Sequence, residues 1–183
     1  MISAFVHAEA LPAPDAFLQQ AFDTLTSYAQ PISVNLRTTH DSQILIQQLV
    51  DDIVDFKLMA QLSVGRSAWT EATPEVQTEF VETFRNHVFT TYLSQLMDYQ
   101  AASDAITWGA PVLRSNKAKV PIQIRAGGSE LSGAFKLYAN QSRWRVYDAT
   151  VDGVSLVSAF RVQFSRALKT GGLPELTLSL VKK

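Results

Sequence analysis

The feature that most constrains this chain is a change of hydrophobic period near Asp104. Before it, apolar residues recur every three to four positions; after it, they alternate. Phe17, Leu18, Ala21, Phe22, Leu25 and Tyr28 form one helical stripe, with Pro12 and Pro14 fixing its start and Pro31 its stop. A second predicted helix opens after His40 or Asp41 and carries Ile46, Leu49, Val50, Ile53 and Val54. Phe56, Leu58, Met59 and Leu62 extend the apolar content towards Gly65 and Trp69. Thr73-Pro74-Glu75 is the sharpest helix start: a capping hydroxyl, a proline for the first turn and a carboxylate at the positive end of the dipole. The helix behind it is predicted to run to about Tyr99, on the order of 39 Å at the standard rise. Its apolar set, Phe80, Val81, Phe84, Val88, Phe89, Tyr92, Leu93, Leu96 and Met97, is wider than one packing seam needs.

Beyond Asp104 the chain reads as strands. Ala105 to Trp108 is a short one, ended by Gly109 and Pro111. From Lys117 to Arg125, Ala118, Val120, Ile122 and Ile124 alternate against Lys117, Lys119, Gln123 and Arg125. Pro121 on the polar side predicts an edge or a bulge. Leu131 to Ala139 and Arg143 to Val151 follow after short turns, so the pattern is an antiparallel meander of about four strands. Leu156, Val157, Phe160, Phe164 and Leu168 then mark a helix ending at Gly171-Gly172. The tail from Pro174 suits a short helix. Helices, a meander, then helices predict an α+β domain with the helices packed on one face of the sheet. Residues 11–183 form that single domain. Residues 1–10 read either as the remnant of a secretory signal, with small Ala8 and Ala10 at a cleavage-like position, or as an apolar arm.

Composition removes several classes of function. With 183 residues, 46% of them hydrophobic, the chain can bury a core without metal or disulfide support. It has no cysteine, so thiol nucleophiles and cluster ligation are excluded. No apolar run approaches the ~20 residues of a transmembrane helix. The net charge of −1 conceals four basic against thirteen acidic residues before position 105, and twelve against four after it. The halves either present faces of opposite sign or neutralise each other across the fold.

Catalytic patterns are missing. His7, His40 and His87 stand in unlike contexts, and no zinc motif, phosphate loop or GxSxG elbow occurs, so no metal or cofactor is expected. Arg143 and Arg145 around Trp144 lack a nucleic-acid-binding frame and read as a solvated strand face. Tyr147-Asp148 is the one pair with catalytic chemistry, because an aspartate in an apolar pocket can serve as acid or base. The competing reading makes Tyr147 a packing residue and Asp148 a turn anchor or helix cap.

Two segments together resemble a known family. One runs from Val64-Gly65-Arg66 through Trp69 to Ala72-Thr73-Pro74-Glu75, with Phe80, Phe84, Tyr92 and Tyr99 behind it. The other is Trp144-Arg145-Val146-Tyr147-Asp148, then Val151-Asp152-Gly153-Val154-Ser155-Leu156-Val157, and Gln163-Phe164 through Gly171-Gly172. In order and spacing, over residues 41–180, the chain is similar to the MlaC-type periplasmic phospholipid-binding proteins, also called the toluene-tolerance auxiliary family.

The resemblance implies a soluble, non-enzymatic periplasmic carrier of phospholipid that supports outer-membrane lipid asymmetry. Its implied partners are an inner-membrane ABC transporter complex and an outer-membrane lipoprotein–porin complex, with no nucleic acid involved. A branch of the family associated with hopanoid lipids leaves a second ligand class open. The family's apolar cavity lies between sheet and helices. Its expected lining here is Phe80, Phe84, Val88 and Tyr92 from the long helix, and Val120, Ile122, Ile124, Phe135, Leu137, Val146, Val151 and Val154 from the strand region. A cavity-containing enzyme using Asp148 and Tyr147 is the alternative of another class.

Overall fold

The computed structural model describes residues 11–29, 38–93, 105–126, 128–140 and 143–181. The apolar N-terminal stub, Pro31 and Tyr99 lie outside these residues. Among the described residues, five α-helices precede the sheet: α1 (Pro14–Ala29), α2 (Thr38–Ile53), α3 (Phe56–Val64), α4 (Arg66–Glu71) and α5 (Pro74–Val88). Helix α2 begins ahead of the expected His40. The start of α5 is as expected: Pro74 opens it and the Thr73 hydroxyl accepts the Val76 N–H at 3.4 Å. The Glu75 carboxyl is held below its ordinary range by a backbone hydrogen bond and by the Thr73 hydroxyl.

The expected end of this helix near Tyr99 lies outside the described residues, but its geometry changes before that. Its α-helical turns stop at Val88, and Phe89–Leu93 continue as a π-helical segment. At its start the Thr90 hydroxyl donates to the carbonyls of Asn86 at 2.9 Å and His87 at 3.3 Å.

Among the described residues the four expected strands follow, with two short ones besides: β1 (Ala105–Trp108), β2 (Val112–Arg114), β3 (Lys117–Ala126), β4 (Ser129–Ala139), β5 (Trp144–Val151) and β6 (Val154–Ser155). Three-residue β2 and two-residue β6 are too short to show a period. The sheet is antiparallel in the order β1-β3-β4-β5-β6, with β2 continuing the β1 side of β3. Pro121 sits at the expected bulge: between the Trp108–Ile122 and Val112–Lys119 pairs, three residues of the β1–β2 segment oppose Val120 and Pro121 of β3. Its carbonyl accepts the Gly109 N–H at 2.9 Å, so its donor-less nitrogen faces the gap between β1 and β2. Gly109 is required there, because a Cβ would stand 2.8 Å from Pro121 Cβ. The one break in the β4–β5 register leaves Tyr147 as the extra residue between Val146, opposite Leu137, and Asp148, opposite Lys136.

Helix α6 (Leu156–Val181) is broken at Gly171 and Gly172, the latter at φ 64°, and resumes before Pro174 as the expected short second helix. Helices α1, α2, α3 and α6 contact the sheet, and α5 packs on α3 and α6. Phe80 and Phe84 of α5 meet Phe160 and Phe164 of α6, with the Phe84–Phe160 rings 5.0 Å apart at 72°. Each fully buried phenylalanine contributes about 1.5–3 kcal/mol. The α2–α3 junction is tied to β5, where Asp55 N–H donates to the Val146 carbonyl at 2.8 Å. A two-point ion pair from Arg85 to Asp51, at 2.5 and 2.6 Å, joins α5 to α2 and raises the arginine pKa further.

Candidate functional site

Strand register decides which side chains share a face. Ala118, Val120, Ile122 and Ile124 of β3 stand opposite Leu137, Phe135, Gly133 and Leu131 of β4. Across β4, Leu137 faces Val146, Phe135 faces Ala149, and Gly133 faces Val151, which in turn faces Val154. On the other flank, Ile106 faces Ile124 and Trp108 faces Ile122. All eight strand-region residues singled out above therefore lie on one face, which is the face that the helices cover.

That face has two unlike halves. In the first, Val120, Leu137 and Val146 join the main core with Phe80, Phe84 and Val88. Val120, Leu137, Phe80 and Phe84 are wholly inaccessible to solvent. In the second half, Ile122 and Ile124 form a separate cluster with Phe22 of α1, and Ile106, Trp108, Leu131 and Phe135 pack against it. Phe22 stands edge-on to Trp108 at 5.1 Å and to Phe135 at 5.6 Å. Phe135 is on an interior strand, yet it is only half-buried, as are Leu131 and Ile106. Val151 and Val154 are exposed at 39% and 58%. Phe22, Ile122 and Ile124 are themselves buried, so the helical layer covers this half too but less completely, leaving Ile106, Leu131 and Phe135 half-buried and Val151 and Val154 exposed. The Tyr92 side chain lies outside the described residues.

Phe22, Trp108, Ile106 and Leu131 belong to this half of the face and were not among the expected lining residues. Alternation gave a signal for three of them: Ile106 and Trp108 are two apart, and Leu131 precedes Phe135 on the same side of β4. Phe22 had none, because its helix stripe looks like any core stripe.

The polar groups near the sheet are committed to structure. Asp148 is buried; its Oδ2 takes Lys136 Nζ at 2.7 Å and the Ser155 hydroxyl at 2.7 Å, and its Oδ1 accepts the Val157 N–H at 3.1 Å. It caps α6, and all its near donors are used for that purpose. Tyr147 lies under Lys117 Nζ and beside the Tyr138 ring. The acid–base use of this pair loses its geometric basis. Arg143 and Arg145 do not form a uniformly solvated face around Trp144. Trp144 is buried and its indole N–H donates to the Pro12 carbonyl at 2.8 Å, while Arg145 donates to the Val54 carbonyl at 2.7 Å. Arg143 stays exposed and pairs with Asp52 at 3.2 Å. The Tyr138 hydroxyl donates to Asp55, and burial, followed by that bond, pushes its pKa above the ordinary 10.0. Among the described residues, no group of three or more His, Cys, Asp or Glu could hold a metal ion, and no helix is long and apolar enough to cross a membrane.

The chain is similar in fold to a phospholipid-binding protein from Ralstonia solanacearum, solved in complex with a phospholipid. The two share 21% sequence identity and superpose with a TM-score of 0.78, over 93% of this chain and 96% of that one. The sequence model of the MlaC protein family matches residues 18–182, almost the whole of the described domain. The chain belongs to the MlaC family.

Proposed function

We propose that this protein is a non-enzymatic carrier that holds phospholipid acyl chains against the less completely covered half of its inner sheet face. The observation that carries the reading is Phe135, a half-buried phenylalanine on an interior strand beside exposed Val151 and Val154. A soluble fold gains by covering such a surface, and acyl chains fit it without any polar partner. Family membership and the phospholipid bound by the Ralstonia relative support the same reading. In this arrangement Ile122, Ile124, Phe135, Val151 and Val154 touch lipid, together with Phe22 and Trp108. Val120, Leu137, Val146, Phe80, Phe84 and Val88 form the packed wall behind them, and Tyr92 follows on the π-helical segment after α5.

The energetics suit carriage. Each CH₂ moved out of water gains about 0.8 kcal/mol, so water cannot extract the lipid. A bilayer interior is equally apolar, so exchange with a membrane is near neutral. Loading and release then fall to docked partners: an inner-membrane ABC transporter complex on one side and an outer-membrane lipoprotein–porin complex on the other, with the carrier in the periplasm between them. Transfer of a fluorescent phospholipid from donor to acceptor vesicles tests the carrier role. The expected rate rises in proportion to protein concentration, and no acceleration at any concentration would overturn it. A parallel hopanoid-loaded donor separates the two ligand classes.

A further inference from the structure

The outer face of the sheet carries a second pattern. Register places Arg114, Lys117, Tyr138 and Arg145 in one row across β2 to β5, and Val112, Lys119, Lys136 and Asp148 in the next. Arg114 directly faces Lys117, and Lys119 directly faces Lys136. Directly opposed like charges destabilise a sheet, so this arrangement costs stability unless an anionic surface meets it. Internal neutralisation is partial. Asp148 pairs with Lys136, and Arg145 is held by a backbone carbonyl. Arg114, Lys117 and Lys119 are exposed and make no ion pair among the described residues.

The other end of this face is balanced: Gln123 faces Ser132 and Arg125 faces Glu130. Beside the cations, edge strand β2 exposes Val112 on the same face at 54%. Exposed acidic residues Glu71, Glu75, Glu79 and Glu82 lie on α4 and α5, and α5 packs on α3 and α6.

We propose that the Arg114–Lys117–Lys119–Lys136 end of the sheet's outer face docks the protein on a bilayer bearing anionic phospholipid headgroups. A bilayer fits better than an acidic protein. Two of the three unpaired cations are lysines, point charges on flexible stems, whereas fixed carboxylates favour the planar fork of arginine. Mobile headgroups need no fixed geometry, and Val112 can enter the interfacial layer beside them. The acidic α4–α5 surface is repelled by the same membrane, so the molecule docks in one orientation. The docking face is distinct from the inner apolar face.

Flotation with vesicles tests the proposal. The full chain is expected to bind phosphatidylcholine vesicles containing phosphatidylglycerol, to ignore phosphatidylcholine alone, and to detach as salt shortens the screening length. The double variant Lys117→Gln and Lys119→Gln should bind about thirtyfold more weakly. Its melting temperature should equal or exceed that of the parent, because the opposed charges are gone. Arg166→Gln with Lys169→Gln removes the same charge from exposed positions on α6 and should keep binding within about twofold of the parent. No binding to anionic vesicles at low salt would overturn the proposal, as would equal losses in both double variants. Binding to polyglutamate without binding to vesicles would also overturn it, assigning the face to an acidic protein. Phosphorus carried by the unbound protein is assayed separately, so failure of docking and failure of lipid carriage give different results.

Discussion

Asp148 Oδ1 accepts the backbone N–H of Val157 at 3.1 Å, joining the middle of β5 to the first turn of α6. The other oxygen of the same carboxylate holds Lys136 and Ser155. The carboxylate complements the positive end of α6 and satisfies a donor that helix geometry leaves open.

Replacing this group separates architecture from chemistry. Asp148→Ala strands Lys136 and uncaps α6, and should cost about 3 kcal/mol in urea unfolding. Asp148→Asn keeps an acceptor for the cap and should cost less than Asp148→Ala. In both variants the folded fraction is expected to carry as much lipid as the parent. Loss of lipid without loss of stability would instead make Asp148 a ligand group.

The two halves of the inner face should respond in opposite ways. Phe84→Ala opens a cavity in the aromatic cluster and should destabilise by about 3–5 kcal/mol, with lipid retained by the protein that remains folded. Val154→Glu alters an exposed position and should change stability by no more than about 0.5 kcal/mol. It places a hydrated charge in the path of acyl chains, so co-purified lipid should fall sharply. Thermal melting and lipid extraction on the same samples check both.

Most of the architecture was legible because its periods are long and unbroken. The Phe80–Phe84–Val88 stripe and the Ala118–Ile124 alternation each span enough residues to announce their geometry. The π-helical turn after Val88 was not legible, because the apolar stripe continues past it without a break. Strands β2 and β6 are too short for a pattern. Alternation named the strand-region residues of the inner face but could not say which half the helices would cover less completely. That depends on where α1 lies, and Phe22 reveals it only in three dimensions. The charge split was visible as a sum; the register alone shows that cations face cations at Lys119 and Lys136.

Alkaline unfolding should report on Tyr138. Its folded pKa is raised, first by burial and then by the bond to Asp55, so the folded state favours the protonated phenol. This contribution to stability is full below the ordinary value of 10.0 and is lost as pH rises through the higher folded value. Urea midpoints of Tyr138→Phe should therefore fall less steeply above pH 10.0 than those of the parent. Parallel curves would remove Tyr138 from the alkaline transition.

Gly172 tests the break in α6. At φ 64° and ψ −153° it occupies backbone space that residues with a Cβ avoid. Gly172→Ala should cost about 1–3 kcal/mol, because Leu173, Leu176 and Leu180 behind the break are buried and resist rearrangement. Chemical unfolding measures it; an unchanged midpoint would mean that the break relaxes freely.

The central claim is that the less covered half of the inner face holds phospholipid, and native mass spectrometry of the gently purified full chain tests it most directly. The expected spectrum shows the protein with an added mass that fragments to a phospholipid, and Val154→Glu reduces that species. A protein that is uniformly free of lipid, and remains so after incubation with phospholipid vesicles, would contradict the account.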